Sequence, residues 1–350
     1  MTHRLFHSRL EKEMKAAEEI LLKEFDKPAA VADHVVARLF HSGGKRLRPA
    51  LLLACALAGR FPGEKALLSA AAIEMMHTAT LVHDDIVDQA EMRRGERTLS
   101  NSFGLHTAVY AGDYLFVKSL ACLARAGLKT SHLDDVARGI QAVCLGEMDQ
   151  YFGRGSIPGV RQYLKRILGK TAALFAASSA LGATLGRFPE KQVRAFGRFG
   201  GYLGMGFQIR DDLLDLTSDP RSMGKPVFCD LRQGVVTLPF ILAARADTSG
   251  DFARQLQQYL NAAPTDRADP SEDAAPTDRA GPSEEAAPTG RIPEIPLLLE
   301  QVHALGGAKQ AQDLMERYKH KALGVLDSLP VKPAARTLLE DLADRILPVS

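Results

Sequence analysis

The sequence predicts an all-α protein, and three observations support that fold class. Apolar residues recur at helical spacing along most of the chain, and no segment shows a convincing two-residue period. Alanine and leucine are abundant, whereas aromatic residues make up 6% of the chain and tryptophan is absent, which favours helix over sheet. With 46% hydrophobic residues among 350, the chain can bury a large core.

This periodicity predicts the helices in chain order. The first, over 10–25, is amphipathic and rich in Glu and Lys, and Pro49 suits the first turn of the second, over 49–58. Residues 66–76 continue into 77–88 without a breaker, so we expect one long helix there. Further helices are predicted over 107–126, 133–151, 161–185, 190–216, 237–247, 252–261, 297–305, 308–326 and 334–346.

Charge and cysteine content exclude several classes of function. The 44 basic and 42 acidic residues leave a formal net charge of +2, so we expect no nucleic-acid partner. The four cysteines lack CxxC spacing, which argues against a zinc site or a disulfide framework and for a reduced, cytoplasmic protein. The opening MTHRLFHSRLEKEMK lacks the apolar core of a signal peptide, and no apolar run reaches the roughly 18 residues of a membrane span.

One segment differs from the rest of the chain. Residues 263–291 repeat a unit, APTDRADPSEDA and then APTDRAGPSEEA, with almost no apolar side chain to bury. Such a composition cannot offset the entropy lost on ordering. We therefore predict one helical domain made of 1–262 and 293–350, interrupted by a disordered insertion over 263–292.

Two acidic clusters of the form DDxxD lie in predicted apolar helices. Their residues are Asp84, Asp85 and Asp88, and Asp211, Asp212 and Asp215. Because residues i and i+4 share a helix face, the first and last aspartates of each cluster point the same way. Like charges at that spacing repel, so partly buried clusters need a positive partner. The alternative is that the clusters are two solvated acidic helix faces. One cluster alone would have favoured that alternative.

The residue types indicate which partner would bind. Oxygen ligands without His or Cys favour Mg²⁺ or Ca²⁺ over zinc, and Mg²⁺ is usually held by one or two carboxylates plus waters and substrate phosphates. Basic residues recur near the clusters, in GGKRLRP at a helix start, in Arg93-Arg94, in Lys170-Thr171 and at Lys225. Clustered cations and helix N-termini suit phosphate, so the pattern indicates anions bound opposite metals.

The order of these motifs resembles the trans-polyprenyl diphosphate synthase family. The matching segments are GGKRLRP, HTATLVHDDIVD, RRG, GKTAALF, GFQIRDDLLD, GKPV, DLRQG and TLP, spread over about residues 30–245. The resemblance implies an isoprenoid synthase fold, a single large helical bundle around a deep central cavity with the two acidic clusters facing each other across its mouth. Terpene cyclases share the first cluster but usually differ in the second, so two DDxxD motifs favour chain elongation.

The resemblance also implies a reaction and a role for each site residue. The enzyme would extend an allylic diphosphate, farnesyl or geranylgeranyl, with isopentenyl diphosphate. Mg²⁺ would be held by Asp84, Asp88 and Asp211, with Asp85, Asp212 and Asp215 nearby. The allylic diphosphate would be bound by Arg93, Lys170, Thr171, Gln208 and Lys225. Isopentenyl diphosphate would be bound by Lys45, Arg48, His77 and Arg94.

Product length is predicted from the helix that carries Asp84. Ala79 and Thr80 lie just over one turn before it, about 6–8 Å deeper. A bulky aromatic residue there would close the cavity early, so the small Ala79 predicts a long all-trans product of roughly six to ten isoprene units, by family resemblance. Alternatively, Ala79 simply packs against a neighbouring helix and another residue sets the length, and a shorter, geranylgeranyl product stays open.

Partners are expected from the same resemblance. We expect a homodimer, a transient membrane-surface contact for product release, and a quinone side chain as the product's destination. The alternatives are a catalytic subunit that needs a small partner and a non-catalytic partner subunit, but the latter usually loses its acidic clusters. The chain departs from the family at Phe228, where Gly is common, and at Val235, where Lys or Asn is common, without losing a metal ligand.

Overall fold

The structure, a computed structural model, describes residues 3–26, 31–41, 44–217, 228–262 and 294–348. Most of these residues lie in helices, so the predicted all-α class is confirmed. The predicted insertion over 263–292 and Lys225 lie outside the described residues.

The helices follow one another along the chain with short connections. In order they are α1 (His3–Lys23), α2 (Val31–His41), α3 (Leu47–Ala58), α4 (Glu64–Val87), α5 (Leu99–Phe103), α6 (Leu105–Arg125), α7 (Thr130–Phe152), α8 (Val160–Ile167), α9 (Ala173–Leu185), α10 (Glu190–Thr217), α11 (Cys229–Arg232), α12 (Leu238–Ala246), α13 (Asp251–Ala262), α14 (Ile295–Ala304), α15 (Gly307–Asp327) and α16 (Pro333–Ile346). A π-helical turn, Leu168–Ala172, joins α8 to α9.

The long predicted helices are confirmed, and the differences concern short elements. The helices α2, α5 and α11 were not predicted, because helices of one to three turns depend on tertiary packing more than on their own sequence. The helix predicted over 161–185 was wrong in one respect, since the π turn interrupts it. The helix predicted over 66–88 ends at Val87, with Asp88 as its C-cap.

A small hairpin joins α4 to α5. Strands β1 (Met92–Arg93) and β2 (Glu96–Arg97) pair antiparallel across Arg94 and Gly95, which both have positive φ, 52° and 81°. Two such residues form the turn that matches the twist of paired strands. The sequence analysis predicted no strands, because strands of two residues are too short to show an alternating pattern.

Contacts along the backbone divide the chain into two compact units. The first comprises Met1–Glu147, Leu164–Asp211 and Asp313–Ser350, and the second Met148–Tyr163 and Asp212–Gln312. That the helical residues form one domain stays a prediction.

In the first unit, the centre of packing is α4, which lies along α6, α1 and α3. The helix α3 also packs on α9 and α16. Its core contains completely buried side chains from several helices, among them Leu52, Ile73, Leu115, Phe175 and Phe199. The α4 helix therefore has apolar neighbours on most of its circumference, which fixes the direction of its acidic end.

In the second unit, α12 contacts α13 and α14. The side chains of Phe240, Phe252, Leu256, Leu298 and Val302 are buried at 2% exposure or less. The short α11 begins after Phe228, which has a positive φ of 62°.

One helical stretch of the described residues, Val160–Leu185, is long and apolar enough to cross a membrane, and more than half of its most apolar 18 residues are buried inside the protein. Buried helices in protein cores have the same composition, so length and composition here are weak evidence for a span.

Close packing of α3 on α9 predicts a large effect for one methyl group. A Cβ on Gly182 would lie 2.2 Å from the carbonyl oxygen of Leu52, whereas a Cβ on Gly197 would lie 3.6 Å from its nearest neighbour, Ala180. We expect Gly182→Ala to lower the free energy of unfolding by about 1–3 kcal/mol through overpacking. The matched Gly197→Ala should be neutral or raise it by up to about 1 kcal/mol, because Ala is the better helix former.

Chemical denaturation of both variants measures this difference. An unfolding free energy for Gly182→Ala equal to that of Gly197→Ala would contradict the packing described for α3 and α9.

Candidate active site

Both acidic clusters lie at the C-terminal ends of their helices. Asp84 and Asp85 occupy the last turn of α4, and the backbone N–H of Asp88 donates to the carbonyl oxygen of Asp84 at 2.8 Å. Asp215 lies in the last turn of α10. The C-terminus is the negative end of the helix dipole, so carboxylates there are unfavourable. Each cluster is therefore placed where a cation would relieve the greatest repulsion.

Asp84 of the first cluster has a strongly shifted pKa. Burial raises the pKa of Asp84 to about 7, with further increases from the negative charges of Glu147 and Asp88 and a decrease from Lys170. Lys170 Nζ lies 2.8 Å from Glu147 Oε2, so these two side chains form an ion pair. An aspartate that resists ionisation without a cation is typical of a metal-binding or catalytic site.

The middle aspartate of each cluster is held by a protein donor. Arg93 Nε donates to Asp85 Oδ1 at 2.6 Å, and the hydroxyl of Tyr163 donates to Asp212 Oδ2 at 2.5 Å. Asp85 is 6% exposed and Asp212 3%. These contacts satisfy buried carboxylates inside the protein and orient the ends of α4 and α10.

The outer aspartates are more accessible. Asp84, Asp88 and Asp215 are half-buried and Asp211 is exposed. Within the described ranges, no group of three or more His, Cys, Asp or Glu side chains converges closely enough to hold a metal by itself. Mg²⁺ keeps several waters and commonly binds through one or two carboxylates plus substrate phosphates, so accessible, repelling carboxylates fit Mg²⁺ better than a closed cage would.

A cluster of basic residues lies around His77. Arg48 Nη1 lies 2.9 Å from His77 Nε2, and the Arg48 guanidinium stacks over the ring of Phe175 at 4.7 Å. Arg46 donates to Glu74 at 2.7 Å. Burial, and then the charge of Arg94, lower the pKa of Arg48 to about 10, against the attraction of Glu74. The cluster therefore concentrates positive charge in a partly desolvated place.

The protonation state of His77 follows from these contacts. Burial lowers the pKa of His77 well below its usual value, and the charges of Arg48, Arg94, Arg93 and Arg46 lower it further. Since a guanidinium only donates, His77 Nε2 must be the unprotonated nitrogen, which leaves its Nδ1–H as a donor. His77 is therefore a neutral donor in a cationic site.

Arg48 also has an unused donor. Its Nε is buried and has no hydrogen-bond partner in the part of the chain that the structure describes. A buried, charged donor left unsatisfied is costly unless a ligand supplies the acceptor. An anion with several oxygens, such as a diphosphate, would supply it.

Two residues of the cluster have strained backbones. Arg46 and Arg94 have positive φ values of 46° and 52°. Non-glycine residues rarely adopt this region, and such strain is common at functional sites. A Cβ on Gly44 would lie 2.8 Å from Arg94 Nη1, so a larger residue there would displace the end of the Arg94 side chain.

The π turn carries two further predicted residues. Thr171 Oγ1 donates to Gln208 Oε1 at 2.6 Å, which links the turn to α10. Lys170 precedes Thr171 in the same turn. Turns of this kind often mark functional sites inside helices.

The structure brings six of the predicted residues into two groups and leaves others apart. Arg48, His77 and Arg94 lie together, and so do Asp84, Asp88 and Lys170. Lys45 is exposed. The roles of all the predicted site residues in binding substrates stay predictions.

The residues proposed to set product length lie inside α4. Ala79 is completely buried in the core, and Thr80 is half-buried with its hydroxyl donating to the carbonyl oxygen of His77 at 2.8 Å. The alternative that Ala79 packs against a neighbouring helix therefore stays open.

Sequence reasoning missed four residues of the site. They are Glu74, Glu147, Tyr163 and Phe175. One signal could have found Glu147, since Gly146 precedes it and Gly169 precedes Lys170. A Cβ on Gly146 would lie 2.3 Å from the backbone nitrogen of Lys170, so these glycines let the two backbones approach.

Comparisons with known proteins found similar sequences and similar solved structures. The family model described as polyprenyl synthetase matches residues 29–273. The chain is 35% identical over 344 residues to heptaprenyl diphosphate synthase component 2 of Geobacillus stearothermophilus, covering 98% of each chain. The solved heptaprenyl diphosphate synthase of Staphylococcus aureus superposes with a TM-score of 0.81 and 29% identity, covering 96% of this chain and 97% of the other.

A further solved structure was determined with ligands. Polyprenyl synthase from Caulobacter crescentus, complexed with calcium and isoprenyl diphosphate, superposes with a TM-score of 0.82 and 28% identity, covering 99% of this chain and 97% of the other.

Proposed function

The chain belongs to the polyprenyl synthetase family, and from that premise we propose that it extends an allylic diphosphate with isopentenyl diphosphate to a long-chain all-trans polyprenyl diphosphate. Membership itself establishes a trans-prenyltransferase that makes prenyl diphosphates, with the all-α isoprenoid synthase fold. The observation that best supports the proposal is the basic cluster around Arg48 and His77 in the first unit, where the buried Nε of Arg48 has no hydrogen-bond partner among the described residues. The group of Lys170, Asp84 and Asp88 lies in the same unit.

The site around His77 suits isopentenyl diphosphate. Arg48 offers an unsatisfied buried donor, His77 offers a neutral N–H, and Arg94 adds charge. Lys45 is exposed and lies three positions before Arg48, and we assign it to the same diphosphate by resemblance to the family. Binding there would hold the double bond of isopentenyl diphosphate in a fixed orientation, which favours one direction of attack.

The site around Lys170 suits the allylic diphosphate. Lys170, Thr171, Gln208 and Arg93 would bind its oxygens, with Lys225 as a fifth residue outside the described ranges. Asp84, Asp88 and Asp211 would hold Mg²⁺, which when bound neutralises charge on the diphosphate leaving group. The family uses a divalent metal, and the fit of carboxylates, waters and phosphates supports Mg²⁺ as that metal.

The protein residues then have a limited task in the reaction. The allylic C–O bond breaks and its electron pair leaves with the diphosphate, where Lys170 and Arg93 stabilise the growing negative charge. The double bond of isopentenyl diphosphate forms a new C–C bond to the allylic carbon, and a proton is lost to the released diphosphate. No protein nucleophile is needed, because His77 and the arginines act by binding and by charge.

Product length is proposed to be long, as in the heptaprenyl relatives. Ala79→Phe tests whether the wall near Ala79 sets that length. If it does, the variant should release products several units shorter, because the larger ring closes the path of the growing chain. Product chromatography measures this, with Thr80→Phe as a neighbouring variant.

A different result for Ala79→Phe is expected if Ala79 does not set product length. If Ala79 only packs against a neighbouring helix, the phenylalanine should lower the free energy of unfolding by about 1–3 kcal/mol and leave product length unchanged.

We also propose a homodimer in a cytoplasmic location. The α6 helix exposes apolar side chains, among them Tyr110 (71%), Val117 (63%) and Leu120 (58%), and exposed apolar patches mark interaction surfaces. All four cysteines are free, which supports a reducing compartment. A small partner subunit is the alternative, because the Geobacillus relative is named as a component. A transient membrane contact would release an apolar product.

An elongation assay tests the function. Purified protein would receive farnesyl diphosphate, radiolabelled isopentenyl diphosphate and Mg²⁺, with EDTA as the control and product sizing as the readout. A Mg²⁺-dependent ladder of long products is expected. A folded, monodisperse protein that makes no product would overturn the proposal of a self-sufficient enzyme and require a partner subunit.

A further inference from the structure

The hairpin that carries Arg93 and Arg94 has little packing of its own. All of residues 91–97 are exposed except Arg93, which is half-buried. The residues that follow the second strand, Thr98 and Leu99, are 3% and 5% exposed, so the hairpin is attached to the protein at its base. The positions of both arginines therefore depend on the contacts that close that base.

Thr98 closes the base with both its backbone and its side chain. Its backbone N–H donates to the carbonyl oxygen of Glu91 at 3.0 Å, and its hydroxyl donates to the carbonyl oxygen of Ala90 at 2.7 Å. The side-chain amide of Asn101 also donates to the Glu91 carbonyl oxygen, at 3.1 Å. The N–H of Ala90 in turn donates to the carbonyl oxygen of Asp85 at 2.9 Å. The Thr98 hydroxyl therefore links the returning strand of the hairpin to the end of α4.

The two arginines depend on this base to different degrees. Arg93 has an anchor of its own, since its Nε donates to Asp85 Oδ1 at 2.6 Å. Arg94 lies in the turn with a φ of 52°, a strained conformation that persists only where the surrounding structure holds it. Its guanidinium lies against Gly44, four positions before Arg48, because a Cβ on Gly44 would be 2.8 Å from Arg94 Nη1.

We propose that Thr98 is a positioning residue for isopentenyl diphosphate, and that its hydroxyl fixes the hairpin so that Arg94 faces the diphosphate of that substrate. The inference rests on the proposed role of Arg94 in binding isopentenyl diphosphate. The Thr98 side chain acts through Arg94, because its hydroxyl is buried, donates to Ala90 and accepts the backbone N–H of Asn101 at 3.3 Å. Charge-assisted hydrogen bonds depend on geometry, so a displaced guanidinium binds an anion less well even though its charge is kept.

Replacing Thr98 by valine removes the hydroxyl and nearly keeps the shape of the side chain. Titration calorimetry in EDTA, without an allylic substrate, should show the dissociation constant of isopentenyl diphosphate rising about three- to tenfold, the effect of one lost hydrogen bond. The KM for isopentenyl diphosphate should rise by a similar factor. The KM for farnesyl diphosphate and kcat should stay within about twofold, because Arg93 keeps its bond to Asp85. Thr98→Ser keeps the hydroxyl and should bind like the wild type.

A double-mutant cycle with Arg94→Met separates positioning from a general loss of structure. If Thr98 acts through Arg94, Thr98→Val should weaken the binding of isopentenyl diphosphate no further in the Arg94→Met background. Thr337→Val is the matched control, because Thr337 also donates its hydroxyl to a backbone carbonyl oxygen, that of Pro333 at 3.1 Å in α16. The affinity of this control for isopentenyl diphosphate should equal that of the wild type.

Wild-type affinity in Thr98→Val, or an equal loss of affinity with and without Arg94, would overturn the inference. A purely structural role for Thr98 would lower the melting temperature and the fraction of active protein, which reduces kcat and leaves both KM values unchanged, and that result would overturn it too. If the wild type binds isopentenyl diphosphate but makes no product, the proposed elongation fails, while the calorimetric comparison still decides the role of Thr98. A wild type that binds no isopentenyl diphosphate would overturn both.

Discussion

Replacing Asp84 by asparagine should slow elongation by about two to four orders of magnitude and, at the same time, stabilise the metal-free protein. Loss of one carboxylate that would hold Mg²⁺ removes several kcal/mol of transition-state stabilisation, which corresponds to about a 10²–10⁴-fold lower kcat/KM. The gain in stability arises because the buried carboxylate of Asp84 is ionised at a cost beside Glu147 and Asp88.

The sign of the pH dependence follows from the same pKa. Burial raises the pKa of Asp84 from 3.8 to about 7, so between about pH 4 and pH 7 the folded protein binds this proton more tightly than the unfolded chain does. The protonated carboxyl group of Asp84 therefore contributes to the stability of the wild type below about pH 4, and this contribution is lost as the pH rises to about 7. Because asparagine cannot ionise, the stability of Asp84→Asn does not fall in this way.

The gain in unfolding free energy is limited because Asp84 is partly exposed to solvent. The difference between a pKa of 3.8 and one of about 7 corresponds to at most about 4 kcal/mol, and partial exposure reduces the expected gain to about 1–3 kcal/mol at pH 8. Thermal melts in EDTA between pH 4 and pH 8 measure it, with Asp134→Asn as the control for loss of an exposed carboxylate. Curves for Asp84→Asn and the wild type that stay parallel across this range would contradict the assigned pKa.

Replacing Arg48 by methionine should weaken isopentenyl diphosphate binding far more than it affects the fold. The guanidinium offers an unsatisfied Nε and a desolvated charge to an anion, and charge-assisted hydrogen bonds of this kind are worth about 1.5–3 kcal/mol each. We expect the KM for isopentenyl diphosphate to rise about 10–100-fold. The methionine side chain keeps the contact with Phe175, so the melting temperature should stay within a few degrees or rise.

The same substitution has a spectroscopic consequence at His77. Arg48 is the largest charged contributor to the low pKa of His77, so removing its positive charge should raise that pKa toward the usual value while burial keeps it below. NMR titration of the imidazole measures the change. The matched control is Arg9→Met, since Arg9 also stacks over a phenylalanine ring, that of Phe61, outside the basic cluster.

Two results would contradict the assignment of Arg48. An unchanged KM for isopentenyl diphosphate would remove Arg48 from that site. A His77 pKa that does not move would show that Arg48 and His77 are not in contact in solution.

Local sequence patterns were sufficient for the long helices and for both acidic clusters. A helix of several turns repeats its apolar spacing often enough to be recognised, and a DDxxD motif has its geometry set by one turn of helix. The short α5, the hairpin at Arg94 and the π turn at Lys170 carry too few residues for a period, and neighbouring elements stabilise them. Their positions could not be predicted from the sequence.

The side-chain pairs inside the site also could not be predicted from the sequence. Glu147 and Lys170 are separated by 23 positions, and Tyr163 and Asp212 by 49. No local pattern marks one as the partner of the other, because their contact depends on how helices pack.

The sequence by itself determined the all-α class, the family, and the residue types available for metal and diphosphate, because these depend on neighbours within a few helical turns. Only the tertiary structure decided which aspartates are buried against Arg93 and Tyr163, which carboxylate holds Lys170, and why His77 is neutral. Charge states in a folded protein depend on burial and on charges brought from distant parts of the chain, and both exist only after the helices have packed.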